Sequence, residues 1–290
     1  MARRPLSWPW LLAALLTAPA SASLSAADAP FAVAPGFQLR AYAGAPDVDR
    51  VACLAFDARG RLWAALRGGE DTEASGSIVI LEDRDGDGRA EHRTLFAAGL
   101  WRPSGLAIGP DGVYVASGSE LLVLADRDGD DRADATRVLL SGFEAWHSND
   151  GLQALRLAPD GGLWMMTGPR SESAVETATG VVRVEGAAVF TFWPRAGRLD
   201  VVATSGDDRP SPPVFDRWGR AVGRSGGSSA ALFEGRDLLA VAETDRSGRD
   251  RIGAYQLREA GSMLRTQAGT PLLTAESDQV RIVDLAFRPD

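Results

Sequence analysis

Asp83-Arg-Asp-Gly-Asp-Gly-Arg-Ala-Glu91 decides how this chain is read, because it returns 43 residues later as Asp126-Arg-Asp-Gly-Asp-Asp-Arg-Ala-Asp134. Both copies follow an apolar run: Ile78–Leu81 before the first and Leu121–Ala125 before the second. Both precede another: Thr94–Ala97, then Val138–Leu140. Each copy is thus an acidic loop between two strand-like segments. A motif of this length repeated at this period implies a repeat architecture. Its alternate carboxylates suit a hard, oxygen-liganded cation.

A second repeat interleaves with the first. Its unit is an apolar strand, a tight turn and an aromatic or β-branched strand. Copies occur at Leu54–Ala64, Leu106–Ala116, Leu155–Met165 and Val214–Val222, and a fifth begins at Asp284 and runs to Asp290. Their turns read Asp-Ala-Arg-Gly, Pro-Asp-Gly or Asp-Arg-Trp-Gly. Proline presets φ at the first corner of a turn, and glycine takes the positive-φ position. Each unit is therefore a β-hairpin, and the copies lie about 50 to 70 residues apart. That period matches four-stranded blades with variable loops. The expectation is an all-β chain folded as a β-propeller; a sandwich would not require hairpins at blade period. No amphipathic helix is expected. Phe37–Tyr42 alternates and reads as a first strand, and residues 169–180 and 205–213 read as polar loops.

The N-terminus reads as an export signal. Arg3 and Arg4 precede an apolar stretch from Trp8 to Ala18 and a small-residue site at Ala20-Ser-Ala22. The expected domains are a signal peptide over 1–22, a linker over 23–35 and a propeller over 36–290, with export to the periplasm or cell envelope. An uncleaved membrane anchor is the alternative. Asp290 stops inside the fifth turn, so either N-terminal strands close the propeller or the chain is a piece of a longer protein; the second is the expectation.

The chain has 290 residues and a net charge of −8, which becomes −10 without residues 1–22. An acidic chain is a poor partner for phosphate backbones. Cys53 is the single cysteine. It can form no internal disulfide, no cysteine-rich zinc site and no haem attachment; in Val51–Phe56 it reads as a small buried apolar residue. A glycine-rich dinucleotide fingerprint, a P-loop and a serine nucleophile elbow are all missing.

In the acidic loops the candidate metal ligands are Asp83, Asp85, Asp87 and Glu91, then Asp126, Asp128, Asp130 and Asp134. Calcium takes 6–8 oxygens at 2.3–2.6 Å. An EF-hand needs glutamate at position 12, where Thr94 and Arg137 stand, so these are short hairpin loops of another kind. The first carries Gly88 at position 6 and the second Asp131. Two histidines exist. His92 adjoins an acidic loop and reads as a surface residue. His147 lies in a polar stretch entering a blade, where an imidazole suits general-base work near neutral pH; Glu144, Asn149 and Asp150 are candidates to orient it. The alternative is a loop histidine bonded to backbone. Arg102 and Arg209, each followed by proline before a hairpin, are candidates to hold an anionic ligand in a central channel; solvated loop arginines are the alternative.

The runs Gly76–Glu91, Phe96–Leu100, Pro103–Ala107, Gly142-Phe with His147, and Leu152–Gly168 resemble the membrane-bound dehydrogenase family abundant in planctomycetes and related bacteria. That family is similar to the soluble glucose/sorbosone dehydrogenase propellers that use pyrroloquinoline quinone. The resemblance runs from about Pro35 to Asp290. It implies a six-bladed propeller and an exported oxidoreductase acting on a small hydroxylated substrate such as a sugar, with electrons passing to a cytochrome c domain or protein. It assigns the base to His147 and implies a quinone (PQQ) cofactor; Arg102, Asn149 and Arg209 are then the candidate cofactor contacts, beside the Ca2+ expected from the acidic loops. A non-catalytic, calcium-stabilised propeller that binds carbohydrate or protein is the competing expectation.

Overall fold

The computed structural model describes residues 12–17, 31–35, 38–44, 46–68, 76–145, 150–206, 213–215, 221–222, 230–233, 238–244, 249–260, 263–276 and 281–287. Their regular structure is entirely β. Strands β1 (Leu12–Thr17) and β2 (Phe31–Val33) come first. The first four-stranded antiparallel sheet is β3 (Val51–Phe56), β4 (Leu62–Leu66), β5 (Gly76–Glu82) and β6 (His92–Leu100), in chain order. The second is β7 (Pro103–Gly109), β8 (Gly112–Ser117), β9 (Glu120–Ala125) and β10 (Ala135–Ser141). There follow β11 (Phe143–Ala145), β12 (Gln153–Leu157), β13 (Leu163–Met166), β14 (Ser171–Thr177), β15 (Gly180–Glu185), β16 (Ala187–Trp193) and β17 (Arg198–Gly206). The third blade is β12-β13-β16-β17, and the inserted β14–β15 hairpin pairs through β14 with β11.

Next come β18 (Val214–Phe215) and β19 (Ala221–Val222), which pair with each other. After them lie β20 (Ala230–Phe233), β21 (Leu238–Thr244), β22 (Asp250–Ala260), β23 (Met263–Ala268), β24 (Leu273–Ala275) and β25 (Arg281–Phe287). β20, β21 and β22 pair in order; β23 and β24 share the far edge of β22, and β2 pairs outside β24. β25 pairs with β1. The sheets stand side by side through their first strands: β3 touches β25 and β7, β7 touches β12, and β20 touches β18 and β25. Repeated antiparallel blades in this arrangement make a β-propeller.

The repeated hairpins form where the turn chemistry put them, as β3–β4, β7–β8, β12–β13 and β18–β19. Packing explains why Ile78–Leu81 is a continuous apolar run. Ile78 and Ile80 face the core shared with the second blade, while Val79 and Leu81 face the core on the other side of the first. A strand buried on both faces needs apolar residues at every position. Leu121–Leu124 repeats the arrangement between the second and third blades. Blade contact is close enough that a Cβ at Gly105 would lie 2.9 Å from the Leu155 backbone nitrogen. Cys53 is buried, as its apolar setting requires.

Two expectations are corrected. Residues 38–42 are not strand; they lie beside the first acidic loop, where the Ala90 N–H donates to the Tyr42 carbonyl at 2.8 Å. Residues 171–177 are a strand, not a loop: Ser171, Ser173 and Val175 face inward while Glu172, Ala174 and Glu176 face solvent. The period-2 pattern was present, but serine at inward positions disguised it. Two short strands fall in stretches read for other features: Leu12–Thr17, within the expected export signal, is β1, and Phe31–Val33, within the expected linker, is β2. Residues 207–212, most of the second expected polar loop, lie outside the described residues.

Candidate functional site

The register sorts the chemistry to two ends of the blades. Phe56, Leu62, Leu81 and Arg93 align at one end of the first blade; Val51, Leu66, Ser77 and Ala98 align at the other. Both acidic loops sit at the first end, because each joins the third strand of its blade to the fourth. Arg102 and β11 sit at the second end, in the connections between blades.

The two acidic loops carry the same internal hydrogen bonds. Asp83 accepts from the N–H groups of Gly86 (2.7 Å) and Gly88 (2.9 Å), and Asp126 accepts from those of Gly129 (2.7 Å) and Asp131 (3.0 Å). Glu91 accepts from the Arg84 amide at 2.9 Å, and Asp134 from the Arg127 amide at 2.7 Å. Such side-chain-to-backbone bonds replace the ladder the loop lacks. They also turn the carboxylates toward one centre. One oxygen each from Asp83, Asp85, Asp87 and Glu91 lies within 4.8 Å of the others, and the same holds for Asp126, Asp128 and Asp130. Oxygens 2.4 Å from a common ion are at most about 4.8 Å apart, so both donor sets could hold a metal ion. Asp134 stands outside the second set. Mutual repulsion shows at Asp128: the Asp130 N–H lowers its pKa, and the charges of Asp130, Asp134 and Asp126 outweigh this and raise it. A cation would relieve that repulsion. Chelation is expected to lower the melting temperature by roughly 5–10 °C from a state saturated at about 100 Kd. An unchanged midpoint in a chelator titration would remove the metal from the fold.

Position 6 distinguishes the loops. Gly88 has φ +90° and Asp131 +63°. A non-glycine residue with positive φ is strained, and here the side chain has a distant partner. Asp131 accepts from Arg61 Nη1 at 2.8 Å, across the gap between the first and second blades. Arg61 also donates to Asp57 Oδ2 through Nε at 2.7 Å and contacts Glu82 Oε1 at 3.3 Å. Burial alone would lower the Arg61 pKa; hydrogen bonds and charge from Asp131 and Asp57 raise it. Glu82 falls below the usual carboxylate range, burial being outweighed by Arg84 and Arg61. Sequence reading did not identify this clamp, although an aspartate replacing a turn glycine was its visible trace.

At the opposite end, His147 and Asn149 lie outside the described residues, as does Arg209. Arg102 is half-buried and has φ +47°, directly before β7. Arg50 has φ +51°, directly before β3. Glu144 is exposed on β11 opposite Glu172. Asp150 is fully buried, with Arg170 Nε donating to its Oδ2 at 3.0 Å. A Cβ on Gly168 would come within 2.5 Å of Asp150 Oδ1. His92, half-buried, starts β6 opposite Glu82.

The profile of the domain-of-unknown-function family DUF7133 matches residues 23–261. The chain belongs to this family. No curated protein matches it. Among solved structures, the PQQ domain of pyranose dehydrogenase from Coprinopsis cinerea is similar at TM-score 0.52 and 10% identity, over 86% of this chain and 87% of that one. An oxidoreductase from Thermus thermophilus, described as a glucose dehydrogenase, gives 0.45 and 16% over 77% and 84%. At such identities the first likeness bears on fold alone, and it agrees with the propeller seen here. The second is too distant in shape to carry an argument.

Proposed function

We propose that this DUF7133 chain is an exported, calcium-stabilised six-bladed propeller that oxidises a small hydroxylated substrate, such as a sugar, by quinone-dependent chemistry of the kind implied by its resemblance to the planctomycete membrane-bound dehydrogenases. The observation that carries the reading is the shared propeller fold of the pyranose dehydrogenase PQQ domain. The chain's layout agrees with it: Arg102 and β11 lie at the end of the blades away from the acidic loops. First-strand contacts among β3, β7, β12, β18, β20 and β25 suit six blades. Residues 1–22 serve as the signal peptide and 23–35 as the linker to the propeller of 36–290, with Phe31–Val33 pairing beside β24, and the periplasm or cell envelope is the destination. No helix among the described residues is long and apolar enough to cross a membrane.

Pyrroloquinoline quinone, when bound, supplies the hydride acceptor. His147 takes the substrate hydroxyl proton on its imidazole nitrogen. Arg102 and Arg209 would hold its carboxylates and Asn149 would contact it; of these residues only Arg102 is described. Electrons leave to a cytochrome. The test is reconstitution with calcium and the quinone, followed by dye-linked oxidation of a sugar panel. His147→Ala is expected to lower turnover about 10²–10⁴-fold. Absence of oxidation across the panel would overturn the reading.

The second reading is a non-catalytic binding module, stabilised by calcium. One observation favours it: the convergent carboxylates Asp83, Asp85, Asp87 and Glu91, and Asp126, Asp128 and Asp130, stand on loops that join the outer two strands of their blades, where a bound ion would brace a hairpin.

A further inference from the structure

A hollow of about 360 Å³ opens beside the first blade, lined by Asp47, Asp49, Arg50, Arg67, Ser77 and Arg93, among others. Three of its nine lining residues are arginines, and the walls are held from the backbone. Asp47 and Val48 donate to the Gly44 carbonyl at 3.0 and 3.1 Å, and the Arg67 N–H donates to the Arg50 carbonyl at 2.9 Å. Arg93 Nε donates to the Asp47 carbonyl at 2.8 Å, which anchors that guanidinium at the hollow. Arg50 is exposed and held at φ +51°. Strain of this kind at a non-glycine residue points to a role for its side chain.

We propose that this hollow binds a small hydroxylated oxyanion. The arginines take the anionic group, since guanidinium forks match carboxylate and phosphate oxygens. Asp47 and Asp49 accept from the ligand's hydroxyls, and their charge disfavours a bare polyanion. The volume suits a ligand of monosaccharide size. The proposal does not depend on the quinone chemistry proposed above.

Calorimetric titration of the full chain tests this with four probes: D-glucuronate, glucose 6-phosphate, glucose and inorganic phosphate. Glucuronate or glucose 6-phosphate is expected to bind at least 10-fold more tightly than glucose, and the preferred one shows whether carboxylate or phosphate is the natural group. Arg67→Ala and Arg50→Gly should each weaken that binding at least 10-fold, while Arg183→Ala on β15 should not. Because glycine adopts positive φ freely, Arg50→Gly should leave the melting temperature unchanged or raised. A lowered melting temperature would make Arg50 a structural residue and overturn its assignment. Three results would overturn the site: no anion binds, inorganic phosphate matches the sugar anions, or binding ignores Arg50 and Arg67.

Discussion

Asp57→Ala is expected to lower the unfolding free energy by about 4 kcal/mol, a loss of roughly 10 °C in melting temperature. The Asp57 carboxylate, 7% exposed, is the hub of the first blade's turn. Oδ1 accepts from the amides of Arg59 and Arg61, both at 2.9 Å; Oδ2 accepts from Arg61 Nε at 2.7 Å and Trp63 Nε1 at 3.0 Å. Alanine leaves a buried indole N–H unpaired and takes from Arg61 its nearest counter-charge. Unmade bonds of this kind cost more than made ones contribute. Asp57→Asn separates charge from shape: it keeps the Oδ1 contacts but sets an amide against the two donors at Oδ2, for about 2 kcal/mol.

The pH dependence of that loss has a definite sign. Burial raises the Asp57 pKa, and hydrogen bonds from Trp63, the Arg61 amide and the Arg61 guanidinium outweigh it, so the folded value lies below the ordinary one. A depressed carboxyl contributes stability that is complete above its unfolded value, about 3.9, and lost as pH falls through the folded value. The stability gap between the parent and Asp57→Asn should therefore narrow below about pH 4. Urea titrations from pH 6 downward measure it; a constant gap would show that the carboxylate charge is not its source.

Phe190→Ala is expected to cost about 4 kcal/mol. Phe190 on β16 is fully buried and meets Phe143 on β11 edge to face, with ring centroids 5.5 Å apart and planes at 79°. The same core holds Tyr114 and Leu121 of the second blade with Leu163 and Met165 of the third. The ring therefore ties two blades and the inter-blade connection together, leaving little freedom for collapse around a cavity. Phe190→Leu should cost about 1.5 kcal/mol. Phe143→Ala should couple to Phe190→Ala by about 1 kcal/mol in a double-mutant cycle. Chemical denaturation decides it, and a loss below about 1 kcal/mol for Phe190→Ala would show that the blades do not depend on this contact.

The convergence of the acidic-loop carboxylates was legible because its logic is local. Alternate aspartates within nine residues both close the loop and aim its oxygens, so the spacing of Asp83, Asp85 and Asp87 already implies convergence. Arg50 was not legible: before β3 it looks like any loop arginine, and only its positive φ and the hollow beside it mark it out. The Arg61 clamp was hidden for another reason. Its partner Asp131 lies 70 residues away, and no local pattern links two turns in different blades.

The amino-acid sequence by itself determined the repeated hairpins, the acidic loops and the two-faced burial of strands such as Ile78–Leu81, because turn chemistry and strand period act over a few neighbours. Only the tertiary structure decided which blade faces which core and that Ser171–Thr177 is a strand against β11. It also decided that the acidic loops and the Arg102 connection occupy opposite ends. Those outcomes depend on register and on contacts between segments far apart in the chain, where the choice of neighbour is set by packing the whole ring at once.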